Sequence, residues 1–251
     1  MSLIPTERSG VSRSLSDFTI LIYGSPKIGK SSFCAKFPKA LFIDLNSGLN
    51  GFDIYKTPVV TSWSQMLEIY KELKEPENRN KFDWIIFDTF PELYDLCLPA
   101  VTKATTGCSH PADVNNGRGD CGKTWKEITK RITNLIKGLA SLGYGRILIA
   151  HVKEKETDFQ TKITTEYHKP NLGTGVGNSM ASMSNMILYF RNEMMDSGQP
   201  PNIIRKNFRV IRTKSSSKYL AGCQEINGKI LPDPLPLDYE KFMGAFNELI
   251  K

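Results

Sequence analysis

The sequence has no apolar run near the roughly 18 residues that a membrane-crossing helix needs. Its first 17 residues are polar and serine-rich and lack the apolar stretch of a secretory signal. Both absences predict a protein of the cytoplasm. There is no C-x-x-C pair: the five cysteines, Cys34, Cys97, Cys108, Cys121 and Cys223, are odd in number and scattered. That argues against a disulfide framework and against a zinc ribbon. Cys108, His110 and Cys121 lack a fourth ligand and the regular spacing of a metal site, so they read as ordinary side chains with reduced thiols. No internal repeat and no low-complexity block divides the chain.

What is present fits one large α/β domain. The chain has 251 residues, 40 % hydrophobic and 24 % charged, enough for a substantial core. The formal net charge is +7. The surplus is spread through Lys153–Lys169 and Arg205–Lys218 instead of forming a tail, which favours a polyanionic partner such as nucleic acid.

Continuous apolar runs at Phe18–Tyr23, Ala40–Asp44, Phe82–Asp88 and Arg146–Ala150 read as buried parallel strands. Met186–Phe190 and Phe208–Arg212 read as further strands. Between them lie helical patterns. Lys30–Phe37 is stopped by Pro38. Trp63, Met66, Leu67, Tyr70 and Leu73 form a stripe behind a capping box of Ser62 and Gln65. Trp125, Ile128, Ile132, Leu135, Ile136, Leu139 and Leu142 mark a longer helix, and Tyr239, Phe242, Met243, Phe246 and Leu249 a last one. Glu75–Lys81 reads as a loop. Alternating strands and helices predict an α/β fold with a mainly parallel central sheet and helices on both faces. Ligands then bind at the carboxyl ends of the strands.

Residues 24–31 read G-S-P-K-I-G-K-S, a match without exception to G-x-x-x-x-G-K-[ST]. Gly24 and Gly29 allow the tight turns that aim successive N–H groups at phosphates. The nucleotide is therefore expected against Gly24, Ser25, Pro26, Lys27, Ile28, Gly29, Lys30, Ser31 and Ser32. Lys30 reaches the β- and γ-phosphates and the Ser31 hydroxyl ligates Mg²⁺. The strand W-I-I-F-D ends at Asp88, which serves the Mg²⁺ shell. ATP and Mg²⁺ are the expected cofactors. The next residue is Thr89, not glutamate.

This order of motifs, from Phe18 to Lys251, resembles the RecA-core ATPases of bacteriophages, including RecA-like single-strand annealing proteins. The resemblance implies a RecA-like P-loop domain over residues 18–251 behind a flexible lead-in of residues 1–17. It implies single-stranded DNA as partner, a homo-oligomeric ring or filament, a single-strand DNA-binding protein as a further partner, and the host cytoplasm as location. In that family the strand after the phosphate-loop helix ends in an acidic residue that activates water. The matching position here is Asn46, whose amide cannot take a proton; Asp44 is either a substitute or a strand-end cap. His151 matches the polar γ-phosphate sensor after the fourth strand. The polar stretch Lys153–Asn185, ending in G-T-G-V-G, matches the DNA-binding loop and offers Lys153, Lys155, Lys162 and Lys169 to backbone phosphates. Arg118 and Lys123, within Cys97–Lys123, match the region of another DNA-contacting loop. Arg212 and Lys214 match basic residues that reach the neighbouring subunit's γ-phosphate. Two other functions fit the loop: a non-hydrolysing ATP-controlled assembly switch, favoured by Asn46, and a small-molecule kinase, disfavoured because no arginine-rich lid is visible.

Overall fold

The structure is a computed structural model that describes residues 10–12, 14–108, 122–157, 164–197 and 204–251. The strands, in chain order, are β1 (Thr19–Gly24), β2 (Ala40–Asp44), β3 (Tyr55–Lys56), β4 (Trp84–Asp88), β5 (Gly145–Thr157), β6 (Thr164–Pro170), β7 (Met186–Ser197), β8 (Ile204–Arg212), β9 (Gly222–Cys223) and β10 (Leu235–Pro236). The helices are α1 (Lys30–Cys34), α2 (Trp63–Glu72), α3 (Pro76–Lys81), α4 (Phe90–Thr106), α5 (Lys123–Ser141), α6 (Thr174–Met183) and α7 (Tyr239–Ile250).

The sheet runs β10-β8-β7-β1-β5-β4-β2-β3. From β7 to β3 every pairing is parallel, while β8 and β10 close the opposite edge antiparallel. All six residues of β1 are buried, as a strand covered on both faces must be. Its side chains alternate between two cores. Leu21 and Tyr23 join Ile128, Ile132 and Ile136 of α5 under α2, α4 and α6. Ile20 and Ile22 join Phe33 of α1 and Phe242 and Phe246 of α7 on the other face. The two-faced α/β architecture expected from the sequence is the one observed.

At the foot of the sheet two polar groups are buried and satisfied. Arg146 donates from Nε and Nη2 to Thr19 Oγ1, at 3.1 and 2.7 Å. The Tyr144 hydroxyl donates to the Leu73 carbonyl at 2.8 Å. These bonds tie the start of β5 to β1 and to the end of α2.

Several local expectations change. Residues 76–81 form helix α3, not a loop, because Pro76 sits in the first turn, where its missing N–H has no partner to lose. The helix after the phosphate loop is shorter than 30–37, ending at Cys34. The capping box is shifted by one: Ser62 Oγ accepts from the Gln65 N–H, but Gln65 Oε1 accepts from the Thr61 N–H. Residues 97–106 of Cys97–Lys123 complete α4. The polar stretch 153–185 is not a long loop. β5 continues to Thr157 and pairs antiparallel with β6, with Lys153 opposite Lys169. Gly175 and Gly177 lie inside α6, so these glycines are already ordered as helix. Alternating polar residues on a ribbon and glycines in a helix both imitate a loop in sequence. Leu15, in a short 3-10 turn at Leu15–Asp17, is 5 % exposed, so the ordered core begins before Phe18.

Phe242 anchors α7 to the sheet. It is fully buried, with its ring edge-on to Phe33 at 5.6 Å. Phe242→Ala is expected to lower unfolding free energy by about 3–5 kcal/mol. Denaturant titration measures this, and a loss below about 1 kcal/mol would contradict this packing role.

Candidate functional site

Residues 24–31 link the end of β1 to the start of α1. Gly24 is not in a left-handed conformation. Glycine is required there because a Cβ would overlap the Phe190 carbonyl oxygen of the adjacent β7. Gly29 is the residue that turns the chain, at φ 113°, and Lys27 shares the left-handed region at φ 61°. Pro26, Lys27, Gly29, Lys30, Ser31 and Ser32 line a cavity of about 450 Å³, completed by Asn46, Gly48, Phe52, Asp88, Thr89 and His151. Ser25 and Ile28 close the turn behind it, with the Ile28 N–H donating to the Ser25 carbonyl at 3.4 Å.

Lys30 is 6 % exposed and folds back on the loop, donating from Nζ to the Gly24 and Ser25 carbonyls, both at 2.9 Å. Burial lowers its ammonium to about 8, opposed by the nearby Asp88 carboxylate. Ser31 Oγ donates to Asp88 Oδ2 at 2.5 Å. Burial raises the Asp88 carboxyl above its ordinary value, with the Ser31 hydrogen bond and Lys30 pulling the other way. A hydroxyl and a buried carboxylate side by side are a hard-oxygen pair of the kind Mg²⁺ takes, with room beside them for phosphate. These residues fit both groups.

The remaining expected residues separate into those the fold brings here and those it does not. His151 comes here, since β5 pairs with β1 and sets His151 beside Gly24 in register. It is half-buried, its Nδ1 has no hydrogen-bond partner among the described residues, and burial followed by Lys30 lowers its basicity. Asn46 lines the cavity, with Oδ1 accepting from the Gly48 N–H at 3.0 Å. Asp44 does not line it. Asp44 is buried, and its carboxylate accepts from the Ser47 N–H at 2.8 Å and the Asn46 N–H at 3.3 Å, so it is the strand-end cap. Arg212 is also committed within the chain. It grips Glu193 with Nε and Nη2, each at 2.7 Å, and Asp233 with Nη1 at 3.0 Å. Its guanidinium bridges β7, β8 and the following loop. Lys214 is exposed at the same strand end. Lys123 opens α5, and Lys169 lies on β6; Lys162, Arg118, His110 and Cys121 fall outside the described residues.

Three neighbours of the loop carry no motif that would single them out. Phe52 and Thr89 line the cavity, and Thr89 Oγ1 also donates to Glu92 at 3.2 Å. Arg209 of β8 places Nη1 3.7 Å from where a Cβ on Gly29 would stand. Only sheet order reveals Arg209, since β8 folds back beside β7, two strands away from β1.

Lys30 predicts a pH dependence. An ammonium near 8 is charged below that value and neutral above it. Affinity for a triphosphate is expected to fall as pH rises from about 7 to about 9, by up to about tenfold per unit beyond the Lys30 value. Equilibrium titration across this window measures it; flat affinity would mean that Lys30 keeps its proton throughout the window or does not meet the anion.

Comparison with known proteins places the chain among its relatives. The SPbeta prophage-derived uncharacterized protein YorG of Bacillus subtilis (strain 168) is 25 % identical over 190 residues, which cover 75 % of this chain. The chain matches 55 % of that relative's length. The family described as AAA domain matches residues 16–223, a span that contains the phosphate loop, Asp88 and His151. With that match over most of its length, and with buried Lys30 and Asp88 gathered beside Ser31 at the head of a glycine loop, the chain belongs to the AAA domain family of P-loop proteins.

Proposed function

We propose that this protein binds ATP with Mg²⁺ and hydrolyses it slowly, coupling the nucleotide to single-stranded DNA in phage recombination, annealing or repair. The hydrogen bond of Ser31 with Asp88 beneath the Lys30 loop carries the ATP part of this reading. The net charge of +7, the lysines facing each other across the β5–β6 ribbon, and the prophage-derived relative support the DNA part.

Ser31 and Asp88 would hold the Mg²⁺, which when bound polarises phosphoryl oxygens. Lys30 leaves the Gly24 and Ser25 carbonyls for the β- and γ-phosphates. His151 stands beside Gly24 in register and senses the phosphate end, passing its state along β5 into the ribbon. Asp88 is the one carboxylate among the described residues that line the cavity. Asn46 orients a water through its amide but cannot deprotonate it. Lys214, exposed at the end of β8, reaches the neighbouring subunit of a ring or filament. The Asn46 amide also favours a second reading, in which ATP controls assembly without turnover.

Three outcomes test this. Lys30→Ala is expected to abolish ATP binding while circular dichroism stays unchanged; retained affinity would remove the basis of the reading. Asn46→Glu is expected to raise steady-state turnover, within the roughly 10²–10⁴-fold that a placed base contributes. Asp44→Asn should leave turnover close to that of the parent and lower thermal stability instead. Brisk parental turnover that no Asn46 substitution changes would contradict the assignment, and no turnover in parent or Asn46→Glu would favour the switch. For DNA, Lys162→Gln or Lys169→Gln should flatten the log–log salt slope of single-strand binding by about 0.7 for each phosphate that loses its lysine. Equal slopes would move the phosphate-binding lysines and arginines to Arg118 and Lys123.

A further inference from the structure

A second cavity, of about 610 Å³, opens between α4, α5 and α6. Its volume falls within the roughly 300–1,000 Å³ of small-ligand sites. Tyr94 of α4 and Trp125 of α5 form its aromatic wall, with ring planes parallel within 1° and centroids 6.0 Å apart. Lys126 and Thr129 continue that wall along one side of α5. Gly173 and Gly175 bring α6 in close, because a Cβ on Gly175 would stand 3.0 Å from Thr129 Oγ1.

Three features set this cavity apart from a packing defect. Trp125 is 41 % exposed, whereas Trp63 and Trp84 are 5 % and 4 % exposed, as core tryptophans are. No carboxylate lines the cavity among the described residues. The charges around it are mainly positive: Lys123, Lys126 and Lys130 are exposed on α5, and Glu127 is neutralised by Arg131 at 2.9 Å. Asp95 beside Tyr94 is the acidic exception. An exposed aromatic face with ammonium groups along its rim suits a flat, uncharged ring attached to a phosphate. That is the chemistry of an unpaired nucleotide: the base stacks, and the backbone meets the lysines. A small apolar ligand would leave the lysines unused, and duplex DNA hides its base faces.

We propose that this cleft holds an unpaired base of single-stranded DNA, stacked on the Tyr94–Trp125 wall, with Lys126 on the adjoining phosphate. The proposal rests on the single-stranded DNA reading and adds where the strand is gripped. It also places the strand close to the nucleotide. Tyr94 lies in the second turn of α4, the helix that leaves Asp88 and Thr89 directly, and α6 follows the β5–β6 ribbon that starts from His151.

The test compares binding of the full chain to an oligothymidylate, the same oligomer with abasic sites throughout, and an oligouridylate, at one salt concentration. The phosphates are equal in number, so the difference between the first two isolates stacking. The intact DNA strand is expected to bind about five- to a hundredfold tighter than the abasic one and to quench tryptophan emission. Trp125→Ala should remove most of that difference, and Trp125→Phe should keep affinity but lose the quench. Equal binding of intact and abasic strands by the parent protein overturns the cleft while leaving the DNA reading intact. So does parental affinity in a folded Trp125→Ala. If Trp125→Ala fails to fold, the abasic comparison on the parent decides alone. Tighter binding of the uridylate strand overturns the DNA assignment in favour of RNA. No binding of any strand by protein that still binds ATP removes the nucleic-acid reading, and the cleft falls with it.

Discussion

Lys30, which opens α1 after the loop that leaves β1, and Asp88, at the end of β4, are both nearly removed from water, and β1 and β4 are not neighbours. Burying charge is costly unless it is paired and hydrogen-bonded. The fold meets that cost locally: two loop carbonyls take the Lys30 ammonium and the Ser31 hydroxyl takes the Asp88 carboxylate. The partners are placeholders in chemical terms, because phosphate oxygens and a divalent cation satisfy the same groups better. Much of the architecture on this edge of the sheet serves to hold these groups in position.

The strand between them, β5, does two jobs. Its parallel pairing with β1 fixes His151 next to Gly24, and its continuation past the sheet becomes the ribbon with β6. Gly24 is equally constrained from the other side by the Phe190 carbonyl of β7. The phosphate loop therefore springs from a strand that cannot shift sideways, while α1 and α7 lock its far face through Phe33 and Phe242. Two elements leave the loop's neighbours: α4, which starts after Asp88 and carries Tyr94 to the cleft with Trp125, and β5, which runs past His151 into the ribbon that carries Lys169.

The strands and the phosphate loop are legible in the sequence because each carries its own local signal: continuous apolar runs for buried strands, and glycine with lysine and serine at fixed spacing for the loop. Asp88 is legible because it ends such a run. Asp44 and Arg212 are not, because their roles depend on what faces them. Asp44 caps its own strand end through two N–H groups, and Arg212 meets Glu193 only because β7 and β8 pair antiparallel. The ribbon and α6 are hidden for a related reason. Lysine, threonine and glutamate on a two-stranded ribbon bury little, so no hydrophobic period marks it. The cleft at Trp125 exists only once three helices are placed, and no local pattern announces it.

For the phosphate loop to be a nucleotide site, its present hydrogen bonds must yield to ligand. A crystal structure with Mg²⁺ and a non-hydrolysable ATP analogue tests this most directly. The predicted result is that Lys30 Nζ leaves the Gly24 and Ser25 carbonyls for phosphate oxygens, and that Ser31 and Asp88 separate around the metal. An analogue seated elsewhere on the chain, with Lys30 still bonded to those two carbonyls, would contradict it.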